Sequence, residues 1–180
     1  MIKAVRRMAR MTLVYPIRIT NNIPEVLLGK KTRGIGAGKW NGWGGKVKDM
    51  QGLAETALRE LKEESGLRAI DKDLRFKGML HFQNEEIYAV VYAFLLYRWK
   101  GKVKVNKEMT EPTWFPLTEL PPPAEFLPAD QYFLRFLLSG KSKIIFRASY
   151  GPKQEYLTKI PEVEFVESLL SKLSSLRFKT

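Results

Sequence analysis

The stretch that most constrains this chain lies between residues 44 and 67, where a glycine-rich turn leads into a helix that carries several carboxylates. Its sequence is GGKVKDMQGLAETALRELKEESGL. Glu60 precedes Glu63 and Glu64 by three and four residues, so all three side chains project from one helical face. Like charges at these spacings repel each other by roughly 0.2–0.5 kcal/mol per pair. The pattern therefore favours a bound cation, and carboxylate oxygens suit Mg²⁺, with Mn²⁺ as the alternative.

The residues around the cluster decide between a metal site and an ordinary solvated acidic face, which is the more common meaning of an isolated cluster. Their spacing resembles the Nudix box, whose second half reads R-E-aliphatic-x-E-E-x-G-aliphatic. Gly45 stands where the box begins, and Arg59 to Leu67 match that second half. One defined position departs, because Gln51 stands where the box has its first glutamate. The resemblance implies an enzyme that hydrolyses a nucleoside diphosphate linked to another moiety.

Length and composition bound the architecture. A chain of 180 residues with 44% hydrophobic residues can form one domain with a full core. We predict a single domain over residues 11–180, preceded by a basic tail at residues 1–10. No cysteine is present, which excludes disulfides and zinc–thiolate sites and fits a reducing compartment, so we predict a cytoplasmic protein. The longest apolar run, Ile87 to Tyr97, is shorter than the roughly 20 residues that span a bilayer, so no membrane partner is expected.

The net charge of +12 indicates the class of partner. A field of this sign attracts polyanions and raises their encounter rate. Nucleoside triphosphates and RNA both qualify, and a generic soluble basic surface is the alternative. We expect a monomer, with a dimer left open.

Hydrophobic patterning predicts the order of the elements. Two helices are expected, at Leu53–Ser65 and Asp130–Ser139, each ended by a glycine. A further amphipathic helix is predicted within residues 159–178, either docked on the domain or mediating self-association. The predicted strands are Thr12–Thr20, Val26–Leu28, Leu74–Phe82, Glu86–Trp99, Pro112–Leu117 and Lys143–Ser149. Strands interleaved with helices predict an α/β fold, and the family resemblance specifies an α/β/α sandwich around a mixed β-sheet.

The segment Gly29 to Gly45 has the composition of a loop and is rich in glycine. Glycines allow a backbone to approach phosphates closely and to point its amides at them. Trp40 and Trp43 lie within it, and rings of that size need a packed or ligand-facing place.

The resemblance extends from about residue 10 to residue 150. Residues 26–47, 113–117 and 127–133 are similar to the MutT-type branch of the family that hydrolyses oxidised purine nucleoside triphosphates. By position, this resemblance implies that the glutamates bind a metal with help from the Gly44 carbonyl. It also implies that Arg59 orients a catalytic carboxylate. The implied metal ligands are Gly44, Glu60, Glu63, Glu64 and Glu108, with Glu111 in reserve for Glu108. The implied substrate-binding residues are Thr12, Lys31, Asn41, Trp43, Gly44, Gly45, Lys46, Phe82 and Asp130.

Three departures from that branch bear on activity. Gln51 removes one charge from the box, which is expected to weaken metal affinity or alter orientation without abolishing activity. Ala129 stands where the branch has the first of two aspartates that read the oxidised base, and Leu127 replaces a stacking tryptophan. Asp130 alone can still accept from a guanine edge, so discrimination between purines is expected to be looser.

The expected reaction is Mg²⁺-dependent hydrolysis of purine nucleoside triphosphates such as 8-oxo-dGTP to monophosphate and pyrophosphate, which removes damaged nucleotides from the pool. Arg59, Glu60, Glu63 and Glu64 form the expected catalytic group, and one of the three glutamates serves as general base. Removal of pyrophosphate from the 5′ end of RNA and cleavage of another nucleoside diphosphate derivative are alternatives within the family. A non-catalytic nucleotide- or RNA-binding module is the alternative of another class. His81, the only histidine, is interpreted as packed or exposed.

Overall fold

An eight-stranded mixed sheet forms the centre of the structure, a computed structural model that describes residues 7–166. The strands run in the order β3-β2-β1-β5-β4-β7-β8, and β6 pairs with β2. Their bounds are β1 Arg7–Thr20, β2 Ile23–Lys31, β3 Trp40–Asn41, β4 Leu74–Gln83, β5 Ile87–Leu96, β6 Met109–Pro116, β7 Lys143–Ser149 and β8 Glu162–Val166. The described residues also contain the helices α1, Leu53–Ser65, and α2, Asp130–Ser139. The α/β class and the mixed sheet are therefore confirmed.

Strand β1 joins two parts of the sheet. Residues 7–16 pair in parallel with β5, and residues 17–20 pair antiparallel with β2. The turn between β1 and β2 is made by Asn21 and Asn22, both at positive φ, a conformation that asparagine tolerates better than most residues. Because β1 already begins at Arg7, the predicted basic tail is wrong for residues 7–10. Residues 1–6 lie outside the described part.

Helix α1 covers one face of the sheet with the bounds that the sequence predicts. It ends at Gly66, whose φ of 77° places it in the left-handed region that favours glycine. Ala57 and Leu61 are fully buried and pack with Val14 and Trp43. The apolar stripe is thus rotated from the predicted one, since Ala54 and Leu58 are only partly buried.

Helix α2 covers the other face, again within the predicted bounds. Its buried residues include the four that the pattern indicates, Phe133, Leu134, Leu137 and Leu138. Gly140 ends the helix at a φ of 69°. The two layers of helix and the sheet between them give the sandwich that the sequence resemblance implies.

The predicted C-terminal helix is wrong over Glu162–Val166, where the chain forms β8 and pairs antiparallel with β7. Pairing with a neighbouring strand supplies hydrogen bonds that a local helical pattern cannot anticipate. The remainder of the predicted helix, residues 167–178, lies outside the described residues.

Within residues 7–166, neither helix has the length and apolar composition required to cross a membrane.

Candidate active site

A cavity of about 560 Å³ lies where α1, the N-terminal end of α2 and the loop after β2 meet the sheet. Carboxylates from α1 form one end of it, and aromatic and aliphatic side chains from the sheet and α2 form the other. The predicted site residues that line it are Thr12, Lys31, Asn41, Gly44, Gly45, Lys46, Glu60, Glu64, Phe82, Glu108 and Asp130.

Glu64 is the most deeply buried of the carboxylates on α1, with 9% of its surface exposed. One carboxylate oxygen accepts the backbone N–H of Gly44 at 2.9 Å. Burial raises the pKa of Glu64 to about 7, the Gly44 hydrogen bond opposes this, and the charges of Glu60 and Glu108 add to it. The N–H that Glu64 accepts comes from the glycine turn, so the helix and the turn hold each other in place.

Arg59 links Glu60 and Glu63, the two other glutamates of the predicted cluster. Its guanidinium donates to Glu60 at 2.7 Å and to Glu63 at 2.9 Å. The Glu63 side chain is 57% exposed and does not line the cavity, whereas Glu60 does. Arg59 thus bridges a carboxylate inside the cavity and one outside it. Of the three clustered glutamates, Glu60 and Glu64 line the cavity and Glu63 does not.

A further carboxylate at this end of the cavity comes from Glu108, which directly precedes β6. Glu108 lines the cavity and forms an ion pair with Arg33 of the loop after β2. Glu111 pairs with Lys30 at 3.4 Å, is 60% exposed and is not part of the cavity wall. The arrangement supports Glu108 over Glu111 as the acid supplied by this segment.

The donor set suits a hard divalent cation, although its members do not form a ready cluster. No three acidic or histidine side chains in the described part of the chain stand together as a metal-binding group. Glu60 is engaged by Arg59, Glu108 by Arg33 and Glu64 by an amide. All three nevertheless line one cavity, and carboxylate oxygens are the donors that Mg²⁺ and Mn²⁺ accept.

The glycine turn approaches its neighbours too closely for a side chain. A Cβ added to Gly44 would lie 2.1 Å from the backbone oxygen of Thr12, and one added to Gly45 would lie 2.5 Å from the carboxyl carbon of Glu60. The first contact involves backbone, and the second involves a candidate functional side chain. Glycine at both positions is therefore a requirement of the site's geometry.

The far end of the cavity is mostly apolar. Phe82 packs near Phe133 and Tyr150, with ring centroids 6.2 and 6.1 Å away. Asp130, the first residue of α2, lines the cavity with 8% exposure. Burial raises the pKa of its carboxyl to about 7, and a backbone hydrogen bond at Leu127 opposes the shift. An apolar surface with a few polar groups is typical of a site that binds a small organic ligand.

Two lysines also line the cavity. Lys31 donates from Nζ to the carbonyl of Ile35 at 2.9 Å. Burial lowers the pKa of Lys31, and the charges of Glu64 and Glu108 oppose this. Lys46 follows the glycine turn and is exposed at the cavity wall. Both ammonium groups are placed to meet an anion that enters next to the carboxylates.

The structure places Trp43 outside the cavity wall, although the family resemblance assigned it to the substrate-binding residues. Its side chain is fully buried away from the cavity, and its indole N–H donates to the Leu27 carbonyl at 3.0 Å. The ring belongs to the core beneath α1, because only a packed position satisfies both its apolar surface and its donor.

Two further residues also lie outside the cavity wall. His81 bonds through Nδ1 to the Tyr88 hydroxyl at 2.7 Å. Gln51 contacts Thr56 of α1 at 3.5 Å, so the departure from the box lies away from the cavity wall.

Several lining residues were not predicted. Arg33 and Ile35 belong to the glycine-rich loop, and their position in that loop is the one sequence feature that could have indicated them. Tyr150 and Gln154 come from the segment after β7 and carried no sequence signal. Leu127, noted only as a departure, lines the cavity beside Gly36.

Replacing Gly45 by alanine is expected to displace the Glu60 carboxylate and to lower any activity of the site by at least ~10-fold. The added methyl group overlaps the flexible end of a side chain, so the fold should tolerate it better than the same change at Gly44. Gly52→Ala is the matched control, because a Cβ there meets no atom within 4 Å. Steady-state kinetics and thermal unfolding of both variants test this, and equal activity in the two would contradict it.

The comparisons with known proteins agree with this geometry. The model of the NUDIX domain family matches residues 11–137. The mouse protein named oxidized purine nucleoside triphosphate hydrolase is 37% identical over 131 residues, covering 71% of this chain and 81% of the mouse protein. The zebrafish (Danio rerio) protein of the same name is 42% identical over 99 residues, covering 54% of this chain and 62% of that protein.

Solved structures of MutT proteins share the fold. The mMutator MutT protein of Bacillus halodurans superposes with a TM-score of 0.70 at 19% identity, covering 87% of this chain and 97% of that one. The MutT protein of Methanosarcina mazei superposes with a TM-score of 0.59 at 24% identity, covering 76% and 97%.

Proposed function

This chain belongs to the NUDIX domain family, and we propose that it hydrolyses oxidised purine nucleoside triphosphates, 8-oxo-dGTP among them, to nucleoside monophosphate and pyrophosphate. One observation carries the proposal: a single cavity has carboxylates at one end and an apolar slot with one acid at the other. The names of the mouse and zebrafish relatives support the substrate class.

We infer that Glu60, Glu64 and Glu108, with the Gly44 carbonyl, hold Mg²⁺, and that Mn²⁺ can replace it. When bound, the metal neutralises phosphate charge and lowers the pKa of a bound water. Arg33 and Arg59 occupy two of these carboxylates in the structure described here, so metal binding competes with ion pairs. Glu63 then acts from outside the cavity through its bond to Arg59.

The remaining chemistry belongs to the chain's own side chains. A water oxygen forms a bond to an inner phosphorus, the anhydride bond to pyrophosphate breaks, and a glutamate of α1 accepts the water's proton. Lys31 and Lys46 bind the phosphates, and Arg59 orients Glu60 through the 2.7 Å bond. Phosphoryl transfer needs mainly positioning and charge neutralisation, which these groups supply.

We place the purine base at the apolar end of the cavity, called the base end from here on. The residues of this end support a broad preference among purines. Leu127 provides an aliphatic wall, and Ala129 contributes no polar group there, so Asp130 is the only carboxylate at that end of the cavity within residues 7–166. We propose that the protein acts on these nucleotides as a monomer in the cytoplasm.

A nucleotide panel tests the proposal. We expect Mg²⁺-dependent release of pyrophosphate and monophosphate from 8-oxo-dGTP, with activity on other purine triphosphates within about tenfold. Chromatography of the products identifies the bond that breaks. Binding of these nucleotides without turnover in either Mg²⁺ or Mn²⁺ would instead indicate a binding module.

The net charge of +12 favours one alternative substrate, the triphosphorylated 5′ end of RNA. Contacts to a phosphate chain are electrostatic and weaken as salt rises. A triphosphorylated oligoribonucleotide therefore belongs in the same panel. Turnover of that RNA faster than 8-oxo-dGTP by orders of magnitude would replace the proposed substrate.

A further inference from the structure

Tyr150 places a hydroxyl group at the base end of the cavity. It directly follows β7, and its backbone N–H donates to the carbonyl of Gln83 at 2.8 Å. The side chain is 3% exposed, lines the cavity and packs its ring near Phe82. The residue is thus fixed both by the sheet and by an aromatic neighbour, and its tip lies beside the start of α2.

The Tyr150 hydroxyl accepts one hydrogen bond, but its own proton is not donated to any group in the described part of the chain. Its oxygen accepts the backbone N–H of Ala129 at 3.2 Å. Within residues 7–166 the hydroxyl donates no hydrogen bond of its own. Burial raises the pKa of Tyr150, and the charge of Asp130 raises it further, so the phenol keeps its proton at every physiological pH. A buried donor without an acceptor has a cost that a ligand can relieve.

Two other polar groups that line the cavity also have hydrogen-bond donors free for a ligand. The Thr12 hydroxyl is buried and has no hydrogen-bond partner in the described part of the chain. The Asn41 side-chain oxygen accepts the Gly42 N–H at 2.8 Å, which leaves its amide hydrogens for a ligand. Tyr150, Thr12 and Asn41 can therefore each donate a hydrogen bond to a ligand in the cavity.

We propose that Tyr150 determines specificity by donating its hydroxyl proton to the carbonyl oxygen at position 6 of a purine. The inference rests on the proposed function and deepens it, because within that tenfold range it gives a preference for 6-keto purines over adenine, which presents an amino donor at that position. A donor that meets a donor leaves both groups unpaired, which is why such sites discriminate. Tyr150 binds substrate and has no part in moving a proton at phosphorus.

The experiment compares Tyr150→Phe with the unaltered protein on dGTP, dITP and dATP in Mg²⁺, and also measures binding by calorimetry. Loss of one neutral hydrogen bond is expected to raise KM and Kd for dGTP and dITP by about 3–10-fold. The constants for dATP should change by less than about twofold, and kcat should be unchanged. Tyr132→Phe, which removes an exposed hydroxyl from α2, is the control and should leave all constants as they were.

The outcomes separate the two proposals. Constants that change equally for all three nucleotides would mean that Tyr150 only holds the Ala129 amide, and unchanged constants would also overturn the inference. If the unaltered protein binds dGTP without cleaving it, and Tyr150→Phe weakens that binding selectively, the inference stands and the proposed hydrolysis fails. Absence of both binding and cleavage overturns both.

A measurement on the unaltered protein covers the case in which the variant does not fold. Sulfur is a poor hydrogen-bond acceptor, so 6-thio-dGTP should bind several-fold more weakly than dGTP. Equal affinity for the two nucleotides would overturn the inference.

Discussion

Glu64→Gln is expected to lower turnover of a purine nucleoside triphosphate by at least ~10²-fold, the size of effect that follows loss of a metal ligand or a general base. Glutamine keeps the shape and can still accept the Gly44 N–H that Glu64 accepts at 2.9 Å. Because burial raises the pKa of Glu64 to about 7, an uncharged side chain should not lower stability at pH 8. Loss of rate without loss of melting temperature therefore identifies a chemical role.

Two other glutamates make the experiment specific. Glu63→Gln should cost less than Glu64→Gln, because Glu63 is 57% exposed and contacts the site only through Arg59. Glu111→Gln should leave kcat/KM unchanged, because Glu111 is 60% exposed and lies outside the cavity. Turnover of Glu64→Gln equal to that of Glu111→Gln would remove the proposed mechanism.

The second large effect expected is a dependence of the free energy of unfolding on pH, caused by Asp130. Burial raises the pKa of Asp130 from 3.8 to about 7, so the folded protein binds this proton more tightly than the unfolded chain does. The resulting stabilisation is complete below pH 4 and is lost as pH rises through 7. Burial and the charge of Asp130 raise the pKa values of Tyr15 and Tyr150, so both tyrosines stay neutral over this range. At 1.36 kcal/mol per pKa unit, the contribution is on the order of 4 kcal/mol.

Asp130→Asn is the variant that removes this titration. Between pH 4 and pH 8, without metal, the free energy of unfolding of the unaltered protein should fall by up to about 4 kcal/mol more than that of the variant. Urea unfolding at several pH values measures the difference, and Glu64 contributes equally to both proteins. Asp49→Asn, at an exposed carboxyl outside the cavity, should retain the original pH dependence. Parallel curves for Asp130→Asn and the unaltered protein would show that Asp130 titrates normally.

The two helices illustrate what local sequence can determine. The sequence predicted both helices with their observed bounds, Leu53–Ser65 and Asp130–Ser139. Apolar spacing and a terminal glycine fix the ends of a helix through residues that are close in sequence. The segment at Glu162–Val166 shows the limit. Its Val163 and Val166 fit a helical pattern, but pairing with β7 makes it a strand, and that partner is distant in sequence.

The candidate site also has one part that the sequence predicted and another part that only the structure showed. Motif spacing identified the carboxylates, the glycine turn and the box helix, since those residues lie close together along the chain and their roles depend on types and intervals. Spacing could not show that Glu60 and Glu64 face the cavity while Glu63 faces outward, because that depends on how α1 is rotated against the sheet. It also could not assign Trp43 to the core.

By itself, the sequence determined the fold class, the two helices and the chemistry of the acidic end, because each depends on short-range periodicity, capping and ligand type. Only the tertiary structure added Tyr150 to the base end, beside Phe82 and Asp130, which the family resemblance had implied, because the three residues come from different segments. It also raises the pKa values of Asp130 and Glu64, because both carboxyl groups are buried and no local pattern records burial.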